Sequence, residues 1–279
     1  MKSQKKIIII LLIILFLFIL LFYFYNNYNK KMIEKYDTVN VHIFLLCYNE
    51  EILLPKTINH YRTLFPNCKI TIYDNESTDK SREISEQNNC EVITYKTGNK
   101  IDDLEYLKIK NNCWKSETEG WIIMADMDEW LYITEKQLLE EQDSGTTILS
   151  LDWYDIFIDG MSAELTDVNL ETVDFGYLWN LGKNICFYRK KISEMNYDPG
   201  AHTCNPEGEI VYSNKTYLVK HMHYLSMPFY INKIKARAAR NKENIKKGFG
   251  IHYISDEEDI KIQYNKEKEK VVKIQNYPK

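Results

Sequence analysis

The sequence predicts an α/β fold on a mixed, mostly parallel sheet flanked by helices, forming a single domain behind an apolar N-terminal segment. Three observations carry this reading. Along residues 39–132, β-branched and apolar runs alternate with stretches of helical period, the order that builds parallel strands joined by crossover helices. Those runs end in polar or acidic clusters, at the edge where open α/β sheets hold ligands. The chain of 279 residues with 44% hydrophobic content is long enough for one sizeable core.

Residues 7–25 are an unbroken run of Ile, Leu, Phe and Tyr. At about 1.5 Å per residue a helix of that length spans roughly the hydrocarbon core of a bilayer, so they read as a transmembrane anchor after a short tail, residues 1–6. The apolar core is too long for a cleaved signal peptide, and no small-x-small pattern follows it. Lys2, Lys5 and Lys6 precede the span and Lys30, Lys31 and Lys35 follow it. With the terminal amine, that leans slightly toward a cytosolic amino terminus and a single-pass, type II arrangement with a lumenal, ER- or Golgi-like domain. Residues 26–38, polar and tyrosine-rich, read as a stem.

The domain is expected over residues 39–250. VNVHIFLLC at Val39 to Cys47 has the continuous apolar character of a buried first strand, and Tyr48, Asn49, Glu50 and Glu51 close it. Leu54, Ile58, Tyr61 and Phe65 recur at helical spacing, with Pro55 tolerable in a first turn and Pro66 as a stop. KITIY at Lys69 to Tyr73 is the second strand. It runs into Asp74, Asn75, Glu76, Ser77, Thr78 and Asp79, a loop rich in the acceptors and hydroxyls that a nucleoside needs; Asp79 is also placed to cap a helix near Ser81. Glu91 to Tyr95 is a third strand and Asp102 to Cys113 an amphipathic helix.

In WIIMADMDEWL, Trp121 to Leu131, an apolar run breaks into acids. Asp126, Met127, Asp128 and Glu129 thus put carboxylates at the carboxyl end of a fourth strand, and oxygen ligands of this kind suit hard dications such as Mn2+ or Mg2+. A lone Asp-x-Asp also fits a solvated strand end; its neighbours decide between the two. Thr134 with Gln137 predicts a capping box just beyond.

CYNEE at Cys47 to Glu51, YDNESTD at Tyr73 to Asp79 and ADMDEWL at Ala125 to Leu131 together resemble the signature stretches of family 2-like glycosyltransferases with the GT-A fold. The resemblance covers Val39 to Tyr132 well and the remainder loosely. It implies nucleotide-sugar contacts from Asn49, Glu50, Asp74 and Asp126, and a divalent metal on Asp126 and Asp128. One departure is Asn75 and Glu76, where acid and glycine are commoner, and this bears on contacts to the base.

The second half is expected to serve the acceptor. TILSLDW, Thr147 to Trp153, reads as a strand with Asp152 and Asp155 nearby, and ICFYR, Ile185 to Arg189, as another. With Asp128 and Glu129, Asp155 is a candidate catalytic residue, and Glu129, Asp152 and Asp155 are the candidate bases. LVKHMHY, Leu218 to Tyr224, sets His221 and His223 two apart, hence on one face of a strand. Neutral imidazoles are fair ligands for Mn2+, so both histidines join the candidate metal set, with His202 in reserve; each is equally at home as a packed residue. Pro228 to Lys246 reads as a helix with Lys233, Arg237 and Arg240 outward. Residues 251–279 read as a charged tail.

A net charge of -4 gives no global reason to expect nucleic acid. Six scattered cysteines without a C-x-x-C pair argue against zinc and against a dense disulfide framework. The expected partners are a nucleotide-sugar donor, a glycan, protein or lipid acceptor, and a membrane through residues 7–25. The alternatives are a non-catalytic sugar- or nucleotide-binding protein of the same fold and an Asp-x-Asp phosphohydrolase; the latter places its pair after the first strand rather than the fourth. A calcium loop fails for want of a third ligand and glycine at EF-hand spacing.

Overall fold

The computed structural model describes residues 14–27, 39–158, 165, 167–242, 245, 256–275 and 277. Its contacts divide the chain into two units, Met1–Val39 and Asn40–Lys279. In the first, residues 14–27 form a helix with largely exposed apolar side chains. Among the described residues no helix is long and apolar enough to cross a membrane. Residues 7–13 of the expected anchor and most of the expected stem lie outside the described residues.

The second unit is built on one large mixed sheet. Strands β1 (Val41–Cys47), β2 (Lys69–Asp74), β3 (Glu91–Thr94) and β4 (Trp121–Asp126) lie in the order β3-β2-β1-β4 and run parallel. This is the half predicted from the alternating runs. Helices α1 (Leu54–Leu64), α2 (Ser81–Gln87) and α3 (Asp103–Asn112) are its crossovers. β1 is buried along its whole length, which is why it reads as a continuous apolar run rather than an alternating one. Asp102 caps α3 by accepting from the Leu104 and Glu105 amides, and Thr134 with Gln137 makes the expected capping box on α4 (Glu135–Asp143).

The other half continues the sheet with mixed direction. β5 (Glu129–Tyr132) follows the acids at once, β6 (Ile148–Phe157) runs beyond the stretch expected, and β7 (Phe175–Trp179) and β8 (Cys186–Tyr188) are antiparallel neighbours of β6. β8 also joins β4, while β9 (Ile192–Glu194) and β10 (Glu207–Gly208) form a small separate ladder. The long β11 (Tyr212–Leu225) lies between β5, antiparallel, and β6, parallel. α5 (Met227–Arg240) starts at its proline, with Ser226 as cap.

Residues 256–275 are not the charged tail expected from their composition. α6 (Glu257–Lys268) buries Ile260 and Tyr264 in an aromatic cluster with Phe157, Tyr224 and Tyr230, and β12 (Val272–Lys273) pairs with β7. Two apolar residues four apart suffice to dock a short helix whose other faces are charged. The six cysteines are all free. Of the five tryptophans, Trp114, Trp121, Trp130 and Trp153 are buried in the core, whereas Trp179 stays partly exposed.

Candidate functional site

The carboxyl ends of β1, β2 and β4 meet at one edge. Register sets Asp74 opposite Cys47 and Asp126 opposite Leu46, so two acids flank the end of β1. The loops after β1 and β2 are laced together. Asn49, in the left-handed backbone region that Asn tolerates, accepts from the Thr78 amide at 2.7 Å, and its own amide donates to Ser77 Oγ at 2.9 Å. The Glu50 amide donates to Ser81 Oγ at 2.8 Å and the Glu51 amide to Asp79 Oδ2 at 3.0 Å. Asp79 also accepts from the Ser81 amide at 2.9 Å, so it ties the loops and the start of α2 together. Asp74 is buried, and among the described residues its side chain takes two long contacts, each 3.3 Å, from the Ser77 amide.

Asn75 turns inward. Its amide donates to Tyr95 O and Thr97 Oγ1, and its Oδ1 takes the Arg240 guanidinium, which also stacks on the Tyr48 ring at 3.2 Å from the centroid. Asn75 is therefore a support for the loop floor.

Met127 and Asp128 form a two-residue turn between β4 and β5. α1 clamps it: Thr57 Oγ1 donates to Met127 O at 2.8 Å, Tyr61 OH to Glu129 O at 2.7 Å, and Trp130 Nε1 donates to Thr57 Oγ1 at 2.9 Å. The turn sends the two aspartates to different partners. Asp126 pairs with Lys110 of α3 at 2.7 Å and with Lys183 at 2.6 Å. Burial would raise its carboxyl, but the two ammonium groups outweigh burial and hold it far below the usual range. Asp128 pairs with Lys233 of α5, and its Oδ2 lies 3.4 Å from His221 Nε2. Burial again opposes ionisation, and again Lys233 and His221 overcome it.

His221 occupies the register position between Glu129 on β5 and Asp155 on β6. Its Nδ1 donates to Asp155 Oδ1 at 2.6 Å. Although burial lowers it, Asp155 and Asp128 push the imidazole up to about 9. Burial, then Lys233 and His221, keep the neighbouring His223 well below the ordinary value, hence neutral. The two imidazoles stack at 5.1 Å, and His221 stacks in turn on Trp179 at 5.3 Å.

Ligand atoms of Asp128, His221 and His223 all lie within 4.8 Å of one another. One carboxylate and two imidazoles make a donor set that suits a first-row dication, and the Asp155 contact fixes the His221 tautomer so that Nε2 faces inward, as carboxylates behind metal-binding histidines do. The residues present fit a divalent ion. Asp126, expected as a metal ligand, stands outside this group because two lysines take its oxygens.

Four further expectations change here. Glu129 is fully buried with both oxygens engaged, Oε2 by the Asp126 amide at 2.8 Å and Oε1 by Lys183 at 2.5 Å, so it fastens the turn. Asp155 is spent on His221 and orients that ring. Asp152 points to the opposite face of β6, where it accepts from Tyr277 OH at 2.6 Å. The cations of α5, expected in solvent, face the acids instead: Lys233 reaches Asp128, and Arg237 acts electrostatically on Glu50. Burial pushes Glu50 up to about 7, with Lys233 pulling the other way and Asp128 adding to the rise.

Sequence reasoning missed Lys110 and Lys183. Lys110 sits on a helix read only as amphipathic, and Lys183 in a loop with no motif of its own.

No protein-family model matches the sequence. Among curated proteins, Protein RfbJ of Shigella flexneri is 35% identical over 51 residues, which make up 18% of this chain and 40% of that protein. Among solved structures, S. aureus TarS 1–349 matches at 13% identity over 72% of this chain and 65% of that one, with a TM-score of 0.40; it is also solved with UDP. Glucosyl-3-phosphoglycerate synthase of Mycobacterium tuberculosis, solved with Mn2+, UDP and glucosyl-3-phosphoglycerate, matches at 14% identity over 41% of this chain and 44% of that one, with a TM-score of 0.29. The chain thus spans less than two thirds of each of these proteins.

Proposed function

We propose that the chain is a glycosyltransferase of GT-A type that moves a sugar from a nucleotide-sugar, read as UDP-linked, to an acceptor hydroxyl. One observation carries the reading. The three motif stretches come together at the carboxyl edge of β1, β2 and β4, beside the cluster of Asp128, His221 and His223.

In this reading Asn49 and Asp74 shape the nucleoside pocket. Asp74, buried with two long contacts, keeps acceptor capacity for ribose hydroxyls. Lys110, Lys183 and Lys233 set ammonium groups where an anionic diphosphate lies, and exchange their carboxylate partners for it in part. Asp128, His221 and His223 would hold Mn2+ or Mg2+, which supplies charge neutralisation for the leaving diphosphate when bound. Asp155 orients His221 and Glu129 holds the turn. Glu50, raised to about 7, is the carboxylate at this edge suited to take the acceptor's proton near neutral pH.

The test is release of nucleoside diphosphate from a nucleotide-sugar panel, with Mn2+ and with chelator. Turnover that needs the metal supports the reading. UDP binding without turnover of any donor points instead to a non-catalytic nucleotide- or sugar-binding protein.

For the N-terminal segment we propose a single-pass anchor over residues 7–25, with the domain in a lumen. Two N-x-S/T glycosylation sequons, Asn75-Glu76-Ser77 and Asn214-Lys215-Thr216, report on it: Asn214 is exposed, whereas Asn75 is fully buried. Glycan mapping after expression in a secretory cell should find sugar at Asn214 and none at Asn75. A bare Asn214 in the folded protein argues for a cytosolic domain.

A further inference from the structure

The imidazole stack of His223 and His221 ends on Trp179, and Trp179 is also a wall of a separate small cavity. That cavity has a volume of about 280 Å³, and its other walls include Trp153, Asn180, Gly182, Lys183 and Asn184. It adjoins both halves of the acid turn. Lys183 bonds Asp126 and Glu129, while Trp179 packs on the His221 ring that faces Asp128. The Trp153 indole reaches the cavity only because residue 182 is glycine: a Cβ there would stand 2.1 Å from Trp153 Cδ1 and 2.5 Å from Nε1. The two indoles meet edge to face at 6.1 Å.

We propose that this cavity is the acceptor subsite and that it takes one uncharged pyranose ring of a saccharide. The inference rests on the glycosyltransferase reading for its role, and on the cavity itself for the class of ligand. Position comes first. An acceptor must lie beside the leaving diphosphate, and this cavity shares Lys183 with the Asp126 side and Trp179 with the Asp128 side. A larger cavity of about 730 Å³, beside Glu51 and Trp130, has none of Asp126, Asp128, Lys183 or His221 in its wall.

Chemistry comes second. An indole face receives the C–H face of a sugar ring, and the carboxamides of Asn180 and Asn184 offer donors and acceptors together, which is what ring hydroxyls require. The ammonium of Lys183 is already matched by two carboxylates, and the other charged residue of the wall, Asp152, is an acid that accepts from Tyr277 OH, so the wall offers nothing that would select an anion. Size comes third, since drug-sized ligands occupy roughly 300–1,000 Å³ and the cavity falls just below that range. A single ring fits; a folded peptide segment does not.

Saturation-transfer NMR on the full chain tests this with free glucose, galactose, mannose, rhamnose and N-acetylglucosamine as probes, each with and without UDP. Saturation of ring protons is expected for at least one sugar, with its apparent Kd raised roughly tenfold in Trp179→Ala and in Asn180→Ala. Asn180 is exposed, so its variant keeps the fold if Trp179→Ala does not. UDP affinity by calorimetry should be unchanged in Asn180→Ala. If UDP binds but no sugar shows transfer, or if transfer persists undiminished in Asn180→Ala, the acceptor subsite is overturned and the donor reading stands. If sugars show transfer that both variants lose while UDP never binds, the saccharide site stands and the donor reading falls.

Discussion

Asp126 and Asp128 are separated by one residue, yet each has its own set of partners. Around Asp126 the counter-charges are two lysines, Lys110 and Lys183, and the buried Glu129 completes a four-membered charge network. Around Asp128 there is one lysine, and the remaining partners are imidazoles, of which His221 is backed by Asp155. Lysine is a point charge with no lone pair while it remains protonated, so the first surrounding can bind an anion but not a metal. Imidazole can give a lone pair: His223 is neutral already, and at His221, raised to about 9, a dication would displace the Nε2 proton, so the second can hold a metal. In the proposed glycosyltransferase reading the Asp-x-Asp pair is therefore divided, with one side suited to an anion and the other to a metal.

The largest effect should come from breaking the metal side. Asp128→Asn removes a ligand and leaves Lys233 without its carboxylate, so donor turnover should fall by more than the roughly 100-fold that losing an outer-shell partner costs. Near-normal turnover at saturating Mn2+, with an unchanged circular dichroism spectrum, would remove Asp128 from the metal site. On the other side, Lys183→Met leaves the buried Glu129 without its ammonium partner and the half-buried Asp126 with Lys110 alone. Its effect should appear as a stability loss of about 3 kcal/mol in urea unfolding, because an unpaired buried charge costs more than the pair contributes. A variant as stable as the parent would mean that the network around Asp126 is far more hydrated than its burial indicates.

A smaller change sharpens the contrast. Asp155→Asn should weaken Mn2+ binding by roughly 10- to 100-fold while UDP affinity without metal stays the same, since Asp155 acts through the His221 ring. Equal losses in both would show that it supports the fold of the whole edge. The smallest effect concerns Glu50, whose carboxyl rises from 4.5 to about 7 on folding. A group raised in this way favours the folded state below its unfolded value, and that contribution is lost as pH climbs through 7. Glu50→Gln should thus leave the Tm unchanged near pH 4 and raise it by a few degrees at pH 8. A Tm difference that does not vary with pH would place Glu50 in ordinary solvent.

Some of this edge was legible in the sequence because its signals are local. The apolar runs at Val41–Cys47 and Trp121–Asp126, the caps at Asp102 and Thr134, and the acids at strand ends each depend on residues a few positions apart. The spacing of His221 and His223 likewise put both on one face of a strand. The partners that hold Glu129, Asp152 and Asp155 were not legible, for a shared reason. A carboxylate's type and neighbourhood in sequence do not reveal whether another group has already taken its oxygens.

By itself, the sequence determined the alternation of strands and helices, the edge at which the polar groups gather, and the candidacy of Asp74, Asp126, Asp128 and the two histidines, because backbone period and side-chain type are properties of short segments. Only the tertiary structure decided which acid meets which base. Lys183 lies 57 residues beyond Asp126, and Lys233 lies 105 beyond Asp128. Lys183 is brought in by the segment between β7 and β8, which pair with β6 and β4, and Lys233 by α5, which packs on β11; sheet order and helix docking follow from burial summed over the whole core.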